Sequence, residues 1–163
     1  MKISLAKNED LNEINDIYNY YISNTAYTFD INQRTVAEKK EWFYQFKNSE
    51  TSICLVGYEN KELIGFVSST KFRDKEAYNQ SLETSVYISD KFKGRGFGKK
   101  LMLELIARLK STNIKNLYAL ITYPNKSSIN LHKTLNFTKV GTLNNVGYKF
   151  KKYWSVHIYE LKL

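Results

Sequence analysis

Apolar residues return along this chain at two spacings, and the spacing separates helices from strands. Leu11, Ile14, Ile17, Tyr18, Tyr21 and Ile22 recur at three- and four-residue steps, which predicts an amphipathic helix from Asn8 or Asp10 to about residue 23. Thr35 and Glu38 have the spacing of a capping box ahead of a second helix, which carries Trp42, Phe43 and Phe46. Met102, Leu105, Ile106 and Leu109 share one face of a third helix, and Asn125 to about Leu135 reads as a short fourth. Strands are expected around Ile3 and Leu5, from Ile53 to Tyr58, from Leu63 to Thr70, over 82 to 88, from Leu117 to Thr122, and twice within 137 to 161. Glu59 to Glu62 reads as the turn of a hairpin. The order β-α-α-β-β-β-α-β-α-β-β predicts a mixed α/β fold on one central sheet, without internal repeats.

Length and composition narrow this picture. With 163 residues, the chain is expected to form one domain over 1–163 whose core needs neither disulfide nor metal. The single cysteine, Cys54, falls in an apolar run and has no partner, which points to a reducing, cytoplasmic location. The first residues carry no signal-peptide pattern, and no stretch approaches the roughly 20 apolar residues of a membrane span. The net charge of +9 admits a nucleic-acid partner or a phosphorylated ligand. Its lysines are scattered, however, denser only at 91 to 100 and 149 to 152, and no nucleic-acid-binding motif is present. A generally basic surface accounts for much of the sum.

The segment Lys-Phe-Lys-Gly-Arg-Gly-Phe-Gly at 91 to 98 carries the most specific chemistry. A strand ends before it and a helix starts inside it, so several backbone N–H groups collect at a helix N-terminus. Glycine lets an oxygen-rich ligand come close, and the loop is competent to hold a pyrophosphate. Glycines at 94, 96 and 98 do not have Gly-x-Gly-x-x-Gly spacing, and Lys99, Lys100 and Leu101 follow without the hydroxyl of a P-loop. Kinase and dinucleotide-dehydrogenase readings therefore weaken, while a plain tight turn remains open.

Lys93-Gly94-Arg95-Gly96-Phe97-Gly98 resembles the Arg/Gln-x-x-Gly-x-Gly/Ala acyl-CoA loop of the GNAT N-acetyltransferases, in its usual place between the fourth strand and the third helix. The resemblance extends over almost the whole chain to the phosphinothricin and methionine sulfoximine acetyltransferase branch. It is carried by Asn24 to Asp30, Phe72 to Tyr78, Glu83 to Ile88, Asn125 to His132, and Gly147 to Phe150 before Trp154. Two positions depart from the pattern. Lys93 replaces Arg or Gln, which keeps charge but loses the forked donor geometry. Asn136 replaces glycine, and asparagine tolerates the left-handed conformation of a helix C-cap.

The resemblance implies a single-domain GNAT fold: a mixed, mostly antiparallel twisted sheet of about seven strands flanked by about four helices. It implies acetyl-CoA as donor without metal, a small-molecule amine as acceptor, no nucleic-acid or membrane partner, and a homodimer. For the donor it implies pairing of the pantetheine arm with Val86, Tyr87 and Ile88, a pyrophosphate on Lys93, Gly94, Arg95, Gly96, Phe97 and Gly98, and contacts from Asn125 and Ser128. Direct attack on the thioester needs a base, and Glu83 is the candidate. Strand alternation puts it on the same side as Ser85 and Tyr87. His132 occupies the position where many relatives carry a tyrosine that protonates the leaving thiolate, and a neutral imidazole can also act as base. For the acceptor the resemblance implies Phe29, Arg73, Lys75 and Tyr78, and alternation is expected to aim both cations to one side, toward a carboxylate or phosphinate.

Plainer readings stand beside these: an edge ion pair for Glu83, an N-cap for Asn125, a packed histidine at 132, and solvated charge at Arg73 and Lys75. The reading that follows is N-acetylation of a small amino acid or analogue. A peptide, protein or polyamine acetyltransferase and an inactive CoA-binding sensor remain alternatives.

Overall fold

Turn and cap chemistry decides where the elements begin and end. In the computed structural model, which describes all 163 residues, the strands are β1 (Lys2–Leu5), β2 (Ile53–Glu59), β3 (Glu62–Lys71), β4 (Ser81–Ile88), β5 (Asn116–Tyr123), β6 (Thr138–Lys149) and β7 (Lys152–Lys162). The helices are α1 (Leu11–Asn24), α2 (Val36–Phe43), α3 (Phe97–Leu109) and α4 (Lys126–Thr134). The expected capping box is present: Glu38 N–H donates to Thr35 Oγ1 at 3.2 Å, and Thr35 N–H donates to the Glu38 carboxylate at 2.8 Å. Asn60 and Lys61, at φ 51° and 69°, close the β2–β3 hairpin, and Phe150 and Lys151, at 53° and 57°, close β6–β7. Asn136 takes φ 65° after α4, the left-handed cap that its residue type allows. Two boundaries differ from the periodicity. Asn8–Asp10 forms a 3-10 turn before α1, and Phe46 lies in another after α2.

The seven strands form one sheet in the order β1-β2-β3-β4-β5-β7-β6, with every neighbouring pair antiparallel except β4–β5. One face is covered by α3, whose buried Leu101, Met102, Leu105 and Leu109 pack with Leu55, Val67, Leu82 and Leu117. The other face is covered by α1 and α2: Leu11, Ile14, Ile17 and Phe43 pack on Val56, Leu63 and Phe66. Gly65 lets β3 and β4 lie this close, because a Cβ there would strike the Tyr87 carbonyl oxygen and come within 2.8 Å of Ile88 Cδ1.

The segment between α1 and α2 is fastened to the far end of the sheet. Phe29 lies against the bare backbone of Gly147, and the Lys149 ammonium donates to the Thr28 carbonyl at 2.9 Å. Under α2, Lys39 is only 4% exposed, with its ammonium 3.8 Å from the Tyr18 ring centroid and 4.6 Å from that of Trp42. Burial pushes it down to about 8, against a smaller upward pull from Asp30.

Two stability outcomes follow from these contacts. Gly65→Ala is expected to lower unfolding free energy by about 2 kcal/mol or more in denaturant titration. Because the Lys39 ammonium loses its proton more easily folded than unfolded, the unfolded chain binds the extra proton between pH 8 and 10.5, and stability rises with pH across that window. Wild type should gain about 3 kcal/mol relative to Lys39→Met between pH 7 and 10.5, read by parallel denaturant titrations.

Candidate active site

The parallel pair β4–β5 begins at Ser81–Asn116 and ends at Glu83–Tyr118. Beyond that point β4 stays paired to β3 and β5 to β7, so the edges that β4 and β5 turn toward each other carry unpaired backbone groups. At the fork, Thr84 Oγ1 donates to the Tyr118 carbonyl at 3.2 Å, and this side chain stands where the ladder stops. The strands diverge around a cleft of about 500 Å³, walled by Thr84 to Ile88 on one side and Ala119 to Thr122 on the other.

The Gly loop forms one end of the cleft. Gly94 and Gly96 adopt φ 76° and 77°, a conformation that L side chains resist, and a Cβ at either would meet only open space. Conformation, and not packing, therefore requires glycine here. The N–H groups of residues 94 to 99 find no acceptor in the protein and open α3, which makes them donors for an anion. The loop's cations behave differently from one another. Lys93 lines the cleft but ties its ammonium to Asp90 at 2.6 Å; partial burial works against that charge, and the Asp90 hydrogen bond together with the charge attraction of Tyr21, Asp90 and Tyr20 outweighs it, raising the Lys93 pKa. Arg95 turns away to Glu59 at 3.1 Å and leaves only its backbone at the loop. Lys99, which sequence reasoning passed over, lines the cleft with no ion pair. Its signal was its place in the first turn of α3, where the helix dipole gives a cation no reason to be. Tyr20 and Tyr21 of α1 pin this corner, through Asp90 at 2.9 Å and the Ile88 carbonyl at 2.7 Å.

Helix α4 closes the opposite side of the cleft. Asn125 caps it, accepting from Ser128 N–H at 3.1 Å, and lines the cleft as well. His132 is 3% exposed, with Nδ1 2.8 Å from the Ser128 carbonyl. A carbonyl only accepts, which puts the proton on Nδ1 and leaves the Nε2 lone pair buried without a partner. Burial lowers the His132 pKa, against the upward pull of the Ser128 bond, and the ring is neutral at pH 7. Ser128 also faces the cleft.

Glu83 is the last residue of β4 to pair with β5 and is half-buried. Burial raises its pKa, and the Arg73 guanidinium pulls the other way. The expected alternation of Arg73 and Lys75 is not found. β3 ends at Lys71, residues 72 to 75 bend, and Glu76–Tyr78 is a 3-10 turn, because Arg-Asp-Lys-Glu offers a strand no apolar face to bury. Arg73 instead donates to its neighbour's carbonyl at 2.7 Å and lies over the Phe72 ring, which stacks on Tyr118 at 4.4 Å. Tyr78 packs edge-on against Phe72, Lys75 starts the turn, and Phe29 stands apart on Gly147. The structure thus brings Arg73 into electrostatic reach of Glu83 at the fork, holds Tyr78 one ring away through Phe72, and places Phe29 on β6.

Comparison with known proteins agrees with this geometry. The chain is 36% identical over 157 residues to a phosphinothricin N-acetyltransferase of Streptomyces coelicolor, covering 95% of this chain and 92% of that protein. It is 30% identical to an L-methionine sulfoximine/L-methionine sulfone acetyltransferase of Salmonella typhimurium, covering 100% and 95%. Among solved structures, a phosphinothricin acetyltransferase of Sinorhizobium meliloti in complex with acetyl-CoA superposes with a TM-score of 0.95 at 26% identity, over 99% of this chain and 88% of that one. The family model described as Acetyltransferase (GNAT) domain matches residues 3 to 158, a span that includes the parted strands and the loop at the head of α3: the chain belongs to the GNAT acetyltransferase family.

Proposed function

We propose that this chain transfers an acetyl group from acetyl-CoA to the α-amine of a small amino acid or analogue of the phosphinothricin or methionine sulfone kind. The observation that carries the reading is the pair of unpaired edges on β4 and β5, which ends at a carboxylate and faces an anion-binding helix terminus. The pantetheine arm, with its two amides, fits as an added strand against residues 86 to 88. The amides of 94 to 99 and Lys99 receive the pyrophosphate. Acceptor choice draws support from the named activities of the Streptomyces and Salmonella relatives.

In this reading Glu83 takes the ammonium proton, directly or through one water, and the freed amine attacks the thioester carbonyl. The new C–N bond forms as the C–S bond breaks, and the second proton shed by the attacking nitrogen ends on the leaving thiolate, releasing CoA as the thiol. Arg73 and Tyr78 hold the acceptor's carboxylate beside Glu83, with Lys75 at the start of the same turn and Phe29 apart on Gly147. His132 is the second candidate base, since its Nε2 lone pair is free on the cleft side of α4. A homodimer is supported by the exposed apolar side chains Val140, Leu143, Val146, Tyr148 and Phe150 along β6 and its turn. The free, buried Cys54 suits a cytoplasmic location.

Thiol release from acetyl-CoA in the presence of methionine sulfone, phosphinothricin, a polyamine and a peptide tests the acceptor class directly; turnover of the last two alone would reject it. Glu83→Gln is expected to lower kcat/KM by about 100-fold or more. Burial raises the Glu83 pKa, so kcat/KM should climb with pH through a midpoint above that of ordinary glutamate. That acid limb should vanish in Glu83→Gln and persist in His132→Ala; the reverse pattern would make His132 the base. Gly96→Asp would place a carboxylate on the loop amides. It should weaken acetyl-CoA binding at least about tenfold, by calorimetry well below the melting transition, which the left-handed φ of this position should lower by only a few degrees.

A further inference from the structure

A second cavity, of about 290 Å³, lies on the other face of the sheet beneath α1 and α2. Its floor is polar. Ser68 and Ser85 are cross-strand partners there, and Thr70 is the cross-strand partner of Glu83. Ser85 also lines the donor cleft, so the cavity runs from beside the candidate base and the cleft to Tyr18, Lys39 and Trp42. Two residue steps along β3, from Thr70 to Ser68, span about 7 Å, the reach of a side chain of four or five atoms.

Four charged residues line this cavity, and three of them satisfy one another. Arg34 donates to Asp30 at 3.0 Å and lies 3.6 Å from Glu38, and Asp30 also accepts from the Tyr18 hydroxyl at 3.0 Å. Lys39 is the exception: it makes no hydrogen bond and no ion pair, and only the Tyr18 and Trp42 rings flank its ammonium. An ammonium has three donors and no acceptor, and the head of the otherwise buried Lys39 opens onto the cavity with those donors uncommitted. A ligand oxygen entering the cavity would find in Lys39 a charged donor free to bond it.

Building on the amino-acid acetyltransferase reading above, we propose that this cavity receives the side-chain end of the acceptor. Lys39 donates there to a carboxylate, phosphinate or sulfone oxygen and thereby selects amino acids with an oxygen-bearing head over hydrocarbon ones. The α-amine then lies at Glu83 while the side chain runs over Thr70 and Ser85 toward α2. Asp30 pulls on Lys39 through space but makes no ion pair with it, because its carboxylate is held by Arg34 and Tyr18.

Methionine sulfone and methionine differ only in the two sulfone oxygens and make the sharpest pair of probes. The ratio of their kcat/KM values is expected to fall on the order of 30- to 100-fold in Lys39→Met, the worth of a hydrogen bond to a charged group. Trp42 emission, read in a Trp154→Phe background, should respond to methionine sulfone in the presence of CoA and lose that response with Lys39→Met. The melting temperature of Lys39→Met, expected to equal or exceed that of wild type, separates lost recognition from lost folding. An unchanged ratio with an unchanged Trp42 response would overturn the assignment of Lys39 alone. Wild type that turns over peptides or polyamines but no amino acid would overturn the acceptor reading and this inference with it.

Discussion

The hydrogen bonds that β4 and β5 do not make with each other are the constraint on which the rest of the structure depends. A sheet interior normally has no free backbone groups, and parting two central strands leaves both edges in need of partners. The surroundings hold the strands apart. β3 and β7 fix the outer edge of each strand, Thr84 blocks the ladder at Tyr118, and α3 packs across the strands below the fork. Tyr21 ties the free end of β4 to α1. The gap is thus a rigid slot, preorganised for a ligand that carries its own amides.

The fork also divides the molecule chemically. On the α3–α4 side lie the Gly loop, Asn125 and His132, all turned to the donor cleft. On the α1–α2 side lie Ser85, Thr70 and the Lys39 cavity. Glu83 stands where the two meet, at the last paired position. A donor and an acceptor brought from opposite faces would meet there without crossing, which is how a bimolecular acyl transfer gains from orientation. Charge follows the same division. Lys93 and Arg95 are held by neighbouring carboxylates, leaving backbone amides and Lys99 as the uncommitted donors of the loop, while on the other face Lys39 alone stays uncommitted.

Much of this was legible in the sequence, for physical reasons that differ from place to place. The helices α1 and α3 announce themselves because their apolar stripes face a continuous core, and the Thr35–Glu38 cap because it is local. Glycines 94 and 96 could be read because φ near 77° admits few other residues. Asn136 behaved as its residue type allows. What could not be read was long-range. Nothing in Arg73 to Tyr78 reveals that the segment bends, and nothing near Phe29 shows that it lies on Gly147 more than a hundred residues later. Lys39 looked like one lysine among many on an amphipathic helix; its burial depends on Tyr18, Trp42 and the sheet beneath, which only the fold brings together.

The central claim is that the parted edges of β4 and β5, with the loop at the head of α3, are the docking surface for the acetyl donor. Amide hydrogen exchange, resolved by residue and measured with and without acetyl-CoA, tests it most directly. The account predicts new protection within residues 84 to 88 and 94 to 99, with exchange along the β6–β7 ladder unchanged. Protection confined to other segments, or none in those two stretches at saturating acetyl-CoA, would contradict it.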